Sequence, residues 1–239
     1  EIKLRKKYWN MLEDAKGKVR VYARIRPLSK KEMERGDECK VELVDETSLA
    51  LSMSFGGAGT PEERRVMPYD SCFGPNSTQL DIFEECQGMV LSCLDGYNAC
   101  VFAYGQTGAG KTWTMSGNDE KRENWGLTRR FIEFLFSEIH DLEGTANVKV
   151  SCEFMEIYCN ELRDMFYAMD NHGDSIAMKN KPKLDVKDLG KKGIIVKGVT
   201  EKIVSDSDEM MNLFNEANKY RVVTATAMNA ESSRSHSVF

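Results

Sequence analysis

Gly105, Gly108, Gly110, Lys111 and Thr112 are the residues of this 239-residue chain whose types and spacing could do chemistry together. They close the run Val101-Phe102-Ala103-Tyr104-Gly105-Gln106-Thr107-Gly108-Ala109-Gly110-Lys111-Thr112. Its ending reads Gly-x-x-x-x-Gly-Lys-Thr, the spacing of a phosphate-binding loop. Glycines let the backbone curl until its N–H groups point inward at phosphate oxygens. Lys111 adds a point charge for the β- and γ-phosphates, and the Thr112 hydroxyl can ligate Mg²⁺. A helix starting near Gly110 would aim the positive end of its dipole at the same anion. The bland alternative is a glycine-rich turn that binds nothing. The apolar run at 99–103, expected to be a strand, and the helix-compatible run after the loop favour a nucleotide site.

The elements that must position this loop follow from periodicity. Residues 18–27 alternate, with Val19, Val21, Ala23 and Ile25 on one face and Arg20, Tyr22, Arg24 and Arg26 on the other, which predicts a half-buried strand ended by Pro27. Short strands are expected near 41–44 and 49–53, and a loose hairpin tip at 56–59. Asn76-Ser77-Thr78-Gln79 is a helix-start signal, and Phe83, Cys86, Val90 and Leu94 then repeat at helical spacing. Thr128 is expected to cap a second helix with Phe131, Leu135, Ile139 and Leu142 on one face. Residues 148–158 read as a strand, 160–192 as polar surface and 193–204 as a strand pair. A last helix from about Asp208 carries Met211, Phe214 and Ala217. Strands alternating with helices predict a three-layer α/β domain whose central sheet is mainly parallel and flanked by helices. At the front, residues 1–16 look helical, with Leu4, Tyr8, Met11 and Ala15 at the a/d step of a coiled coil and Gly17 as the stop.

Composition narrows the class. The chain is 41% apolar and 30% charged, so it can bury a core. No apolar run approaches a membrane span, and the N-terminus is charged rather than signal-like. Seven cysteines without a Cys-x-x-Cys pair, beside three histidines, speak against a zinc site or a disulfide framework and for reduced thiols in the cytoplasm. A net charge of −5 argues against nucleic acid as the main partner.

Three motifs in sequence order resemble one family. Arg24-Ile25-Arg26-Pro27, the phosphate loop, and Asn229-Ala230-Glu231-Ser232-Ser233-Arg234-Ser235-His236 stand in the order and rough separation found in kinesin motor domains. Glu156-Ile157-Tyr158, followed by Glu161 and Asp164, is similar to a kinesin strand-to-helix segment. Residues 18–239 thus resemble the N-terminal portion of a kinesin motor through its first switch, on a kinesin-like P-loop NTPase fold. A helix placed directly before the motor (residues 1–17, a neck) resembles the C-terminal-motor, minus-end-directed branch, and its charges look most like the calmodulin-regulated subgroup.

The resemblance implies roles residue by residue. Arg24, Arg26 and Pro27 would border adenine, with Trp113 supplying an aromatic face; Trp113 as a core aromatic is the equal alternative. Gly105, Gln106, Thr107, Gly108, Ala109, Gly110 and Lys111 would hold the phosphates of ATP, with Thr112 and Ser233 on Mg²⁺. Asn229, Ser232, Ser233 and Arg234 would form a switch that orders and releases with the γ-phosphate. Lys187, Lys191 and Lys192 lie on a stretch similar to a tubulin-facing loop, where an acidic microtubule would be met by cations. An ordinary solvated loop is the alternative there. The implied protein is a microtubule-stimulated ATPase of the cytoplasm, cytoskeleton and spindle, dimeric through an upstream coiled coil and open to a calmodulin-type regulator. A non-motile microtubule-binding module and an unrelated phosphate-loop ATPase or GTPase are the competing readings. No Asn-Lys-x-Asp segment for guanine is present, and Arg24-x-Arg26-Pro27 suits adenine better.

The sequence also departs from the family. It lacks a second-switch Asp-x-x-Gly after an apolar strand; the matches at Asp14, Asp141 and Asp170 follow helical or polar stretches. The phosphate-loop run is therefore expected to lack a flanking strand, and this piece is expected to be a poor ATPase by itself.

Overall fold

The computed structural model describes Tyr8, Met11, Gly17 and residues 19–53, 62–142, 144, 146–190, 193–221 and 235–239. The chain divides into two compact units, residues 1–130 and 131–239. Tyr8 and Met11 are helical and exposed; the other residues of 1–16, the 56–59 tip, Lys191, Lys192 and the switch residues Asn229 to Arg234 lie outside the described residues.

The first unit is built from β1 (Tyr22–Arg24), which pairs in parallel with β5 (Ser71–Phe73), and a meander of β2 (Val41–Asp45), β3 (Ser48–Met53) and β4 (Glu63–Pro68). Asp45 makes the first meander turn by accepting from the Thr47 N–H at 2.8 Å, the Asx geometry that lets a short polar side chain replace a backbone partner. Ile25, Leu49 and Cys72 pack together beneath these strands.

Helix α1 (Lys30–Glu34) opens with a reciprocal box in which Ser29 and Glu32 satisfy each other's backbone N–H groups. Helix α2 (Gln79–Cys86) uses the same device with Thr78 and Asp81, and buries Ile82, Phe83 and Cys86. It passes through Gln87 into α3 (Gly88–Leu94). Helix α4 (Lys111–Met115) follows the phosphate loop, then a 3-10 turn (Arg122–Asn124) and α5 (Leu127–His140).

The second unit holds β6 (Val150–Cys152), β7 (Met155–Tyr158), β8 (Glu161–Asp164), α6 (Met165–Asp170), α7 (Ser175–Lys179), β9 (Asp185–Asp188), β10 (Ile194–Lys197), β11 (Lys202–Val204), α8 (Ser207–Asn218) and β12 (Ser235–Val238). Its core is aromatic. Phe154 and Phe166 are fully buried, and Phe154 stacks on Phe214 at 5.1 Å between centroids. Phe239 sits edge-on to both Phe154 and Phe214. Asp164 ties the layer together: its carboxylate caps α6 at the Tyr167 N–H and accepts from the Thr200 N–H at 2.6 Å.

The structure departs from the sequence expectations at several places. Among the described residues the parallel pairing is confined to β1 and β5, and the other strand pairs are antiparallel. The run at 99–103 is no strand and sits in no ladder, and Phe102 and Tyr104 stand 79% and 95% exposed. An apolar run alone does not make a strand when no neighbour supplies hydrogen bonds. Val19 and Val21 are exposed rather than inward, because β1 is only as long as its three-residue partner. The 193–204 stretch does form two strands, but β10 pairs with β9 and β11 with β6, not with each other. Helix α5 starts at Leu127, ahead of Thr128, and buries Leu127 and Ile132. The polar stretch from 160 contains a core helix, α6, with Met165, Phe166 and Ala168 buried.

Candidate nucleotide site

Gly110 is the N-cap of α4 in the left-handed region, at φ +94°, and no side chain caps the helix. The first N–H groups of an α-helix have no intrahelical acceptor. Those of Lys111, Thr112 and Trp113 therefore open on the loop, with the helix dipole behind them. Ala109 donates its N–H to the Gln106 carbonyl at 3.2 Å, which closes the curl. The Gly105 end runs close against it, since a Cβ on Gly105 would stand 3.0 Å from the Ala109 Cβ. Lys111 folds back over the loop and donates to the carbonyls of Gly105 (2.7 Å) and Gln106 (2.9 Å). The result is an uncapped helix start, a glycine hinge and an ammonium above one concave turn. That donor set fits a polyphosphate, and the Thr112 hydroxyl lies on the adjoining turn for the cation such a ligand carries.

The arginine motif lies beside this loop, and its two arginines behave differently. Arg26 grips Glu32 with both Nη atoms, at 2.9 and 2.6 Å, and its Nη1 also donates to the Pro27 carbonyl at 3.2 Å. Its aliphatic stem runs alongside Gly110, where a Cβ would meet the stem carbons at 3.8–3.9 Å. The Arg26 bond and the Ser29 N–H hold the Glu32 carboxyl down at about 2. Arg24 is half-buried and engaged: Nη1 donates to Gln79 Oε1 at 2.7 Å and Thr114 Oγ1 at 2.9 Å, and Nη2 to the Ser77 carbonyl at 3.2 Å. Burial keeps its guanidinium below the ordinary arginine value. Trp113 is 43% exposed. Pro27, Gln106, Thr107 and Gly108 are exposed.

Gly117 and Gly126, not singled out in the sequence, lie where α4 ends, a Cβ on Gly126 meeting the Met115 carbonyl oxygen at 2.5 Å. The bridge between Gly117 and Trp125 brings backbones so close that a Cβ on Gly117 would lie 2.1 Å from the Asn124 carbonyl oxygen. The partners of Arg24, namely Ser77, Gln79 and Thr114, were not expected from the sequence, although Ser77 and Gln79 both sit in the helix-start signal.

A family model described as the kinesin motor domain matches residues 24–239. The chain belongs to the kinesin motor-domain family. Curated relatives of this kinesin chain include kinesin-like protein KIN-14G of Arabidopsis thaliana, 35% identical over 97% of this chain and 22% of that protein. Kinesin-like protein KIN-14E of Oryza sativa subsp. japonica is 32% identical over 99% of this chain and 20% of its own length. Kinesin-like protein KIN-14E of Arabidopsis thaliana is 35% identical over 98% and 17%. The chain thus spans about a fifth of the length of these relatives. A solved structure described as that of a fast kinesin superposes with a TM-score of 0.76 at 32% identity, over 92% of this chain and 57% of the other. The fold is accordingly the α/β P-loop NTPase fold of kinesin motors, a nucleotide-binding fold.

In this kinesin motor domain Lys187 projects from β9 half-exposed and pairs with Asp185 at 2.7 Å. That ion pair holds the Asp185 carboxyl below its usual range. Among the described residues no helix is long and apolar enough to cross a membrane.

Proposed function

We propose that this chain is the ATP-binding portion of a microtubule-stimulated motor ATPase. The observation that carries the reading is the uncapped, glycine-hinged start of α4 with the Lys111 ammonium arched over the loop. Lys111 and the N–H groups of the loop would bind the phosphates of ATP, and Thr112 with Ser233 would hold Mg²⁺, which supplies charge neutralisation at the β- and γ-oxygens. The face of Trp113 would take the adenine, with Arg26 and Pro27 at its border. Asn229, Ser232, Ser233 and Arg234 would sense the γ-phosphate, small hydroxyls letting the segment engage and release with little strain. Lys187, Lys191 and Lys192 would meet the acidic tubulin surface, and residues 1–17 would end a dimerising neck. The KIN-14 relatives support assignment to the C-terminal-motor, minus-end-directed branch, and its track would be cytoplasmic microtubules, including those of the spindle. A calmodulin-type regulator would control it.

The test is ATP turnover by the full-length protein with and without microtubules. Turnover should rise on adding microtubules and vanish with Lys111→Ala or Ser233→Ala. Turnover indifferent to microtubules would mean an unrelated phosphate-loop ATPase, and binding without turnover would mean a non-motile module.

A further inference from the structure

Helix α4 carries Lys111, Thr112 and Trp113 yet is five residues long. A helix so short has no cooperative stability of its own, so its orientation must be imposed from outside. Its C-terminal carbonyls need donor partners as well. Thr112 finds its own, since its carbonyl accepts from the N–H groups of Ser116 (2.8 Å) and Gly117 (3.1 Å). The Trp113 carbonyl is instead taken by a side chain from another helix: Gln79 Nε2 donates to it at 2.6 Å.

Gln79 is 3% exposed, and both ends of its amide are in use. Besides Trp113, Nε2 reaches the Asn124 carbonyl at 3.4 Å, and Oε1 accepts from Arg24 Nη1 at 2.7 Å. The same Arg24 nitrogen donates to Thr114 Oγ1. Successive residues of α4, Trp113 and Thr114, are thus tied to one buried amide and one half-buried guanidinium. We propose that Gln79 is a positioning residue for the nucleotide site, fixing the helix that bears Lys111, Thr112 and Trp113 without itself touching the nucleotide. This rests on the nucleotide reading above.

The chemistry of the amide provides the test. Gln79→Glu is isosteric and retains an acceptor for Arg24, so the tie to β1 survives. It replaces the donor facing the Trp113 carbonyl with a second acceptor, which repels. In the full-length protein we expect Gln79→Glu to melt within about 2 °C of wild type while its Kd for MgADP rises about tenfold. Gln79→Met, which removes both functions at similar volume, gives the same readout should the charged variant fail to fold; about a fivefold rise is expected. Lys111→Ala serves as the reference. Wild-type MgADP affinity in Lys111→Ala would overturn the nucleotide reading and this proposal with it. Lost affinity there, with affinity within twofold of wild type in a folded Gln79 variant, would overturn the Gln79 assignment alone.

Discussion

The Arg26 guanidinium holds Glu32 with two hydrogen bonds, at 2.6 and 2.9 Å, while its stem lies along Gly110 at the hinge of the phosphate loop. A two-pronged pair fixes the plane of both groups, so α1 and the loop are held by one side chain. The pair has a pH signature. Glu32 sits at about 2 in the folded chain, against about 4.3 when unfolded. A depressed carboxyl contributes stability that is complete above the unfolded value and is lost as pH falls toward the folded one. Thermal melts should therefore show a loss between about pH 4.3 and 2 that Glu32→Gln lacks. An identical slope in both proteins would contradict the pairing.

Gly117 should be intolerant of any side chain. A Cβ there would overlap the Asn124 oxygen at 2.1 Å and the Gly126 nitrogen at 2.4 Å, at φ +67°. Both neighbours are backbone, so relief requires moving the turn. Gly117→Ala should cost about 3 kcal/mol, combining strain with overpacking. Gly110→Ala meets only ordinary contacts with Arg26 and should cost roughly 1–2 kcal/mol for its left-handed backbone. Urea denaturation of the two variants ranks them.

Ligand should stabilise the fold through Lys111. At a concentration 100 times its Kd, MgADP should add about 2.7 kcal/mol to the folded state, because only that state binds it. A shift of several degrees in Tm is expected in the wild-type protein. In Lys111→Ala the shift should disappear while the ligand-free Tm changes little. A full shift in that variant would show that the ligand binds elsewhere.

The parts of this molecule visible in its sequence are those written in local chemistry. The loop glycines, the Thr78 cap and the buried Met211, Phe214 and Ala217 of α8 all stand where spacing puts them. What escaped depends on distant partners. The run at 99–103 is continuously apolar like a buried strand yet has no ladder, and α6 was hidden because its apolar Met165 to Met169 run is only five residues long and flanked by polar residues. In α5 the crowding of Phe131, Ile132, Phe134, Leu135 and Phe136 blurs the helical period, so the buried face falls on Ile132. The fate of Arg24 was equally illegible. Its type suits a ligand, but the acceptors that claim it come from Ser77, Gln79 and Thr114, up to 90 residues away.

The aromatic core of the second unit sets its stability. Phe154 is fully buried against Phe166, Phe214 and Phe239. Phe154→Ala removes the ring they share and leaves a cavity, and should cost about 3–5 kcal/mol. Phe154→Leu refills much of that space and should cost roughly half as much. Chemical denaturation with a probe in residues 131–239 measures both, and equal losses would mean the site collapses freely around either side chain.

Glu156 poses a different energetic problem in the same unit. Its carboxylate is fully buried, with Arg163 Nη1 at 3.8 Å and Arg221 Nε at 3.6 Å. Arg163 also lies over the Tyr158 ring at 4.3 Å, and Arg221 reaches Ser235 Oγ at 3.4 Å at the start of β12. Two guanidiniums converge on one carboxylate, so its charge is what allows them to share the space. Glu156→Gln keeps the shape and removes the charge, leaving two like charges side by side. It should destabilise by about 3 kcal/mol, as breaking a buried pair does. Salt provides the discriminating control. Mobile ions screen buried pairs much less than exposed ones, so the penalty should change little between 0.1 M and 1 M NaCl, and a loss that vanished at high salt would place the pair at the surface.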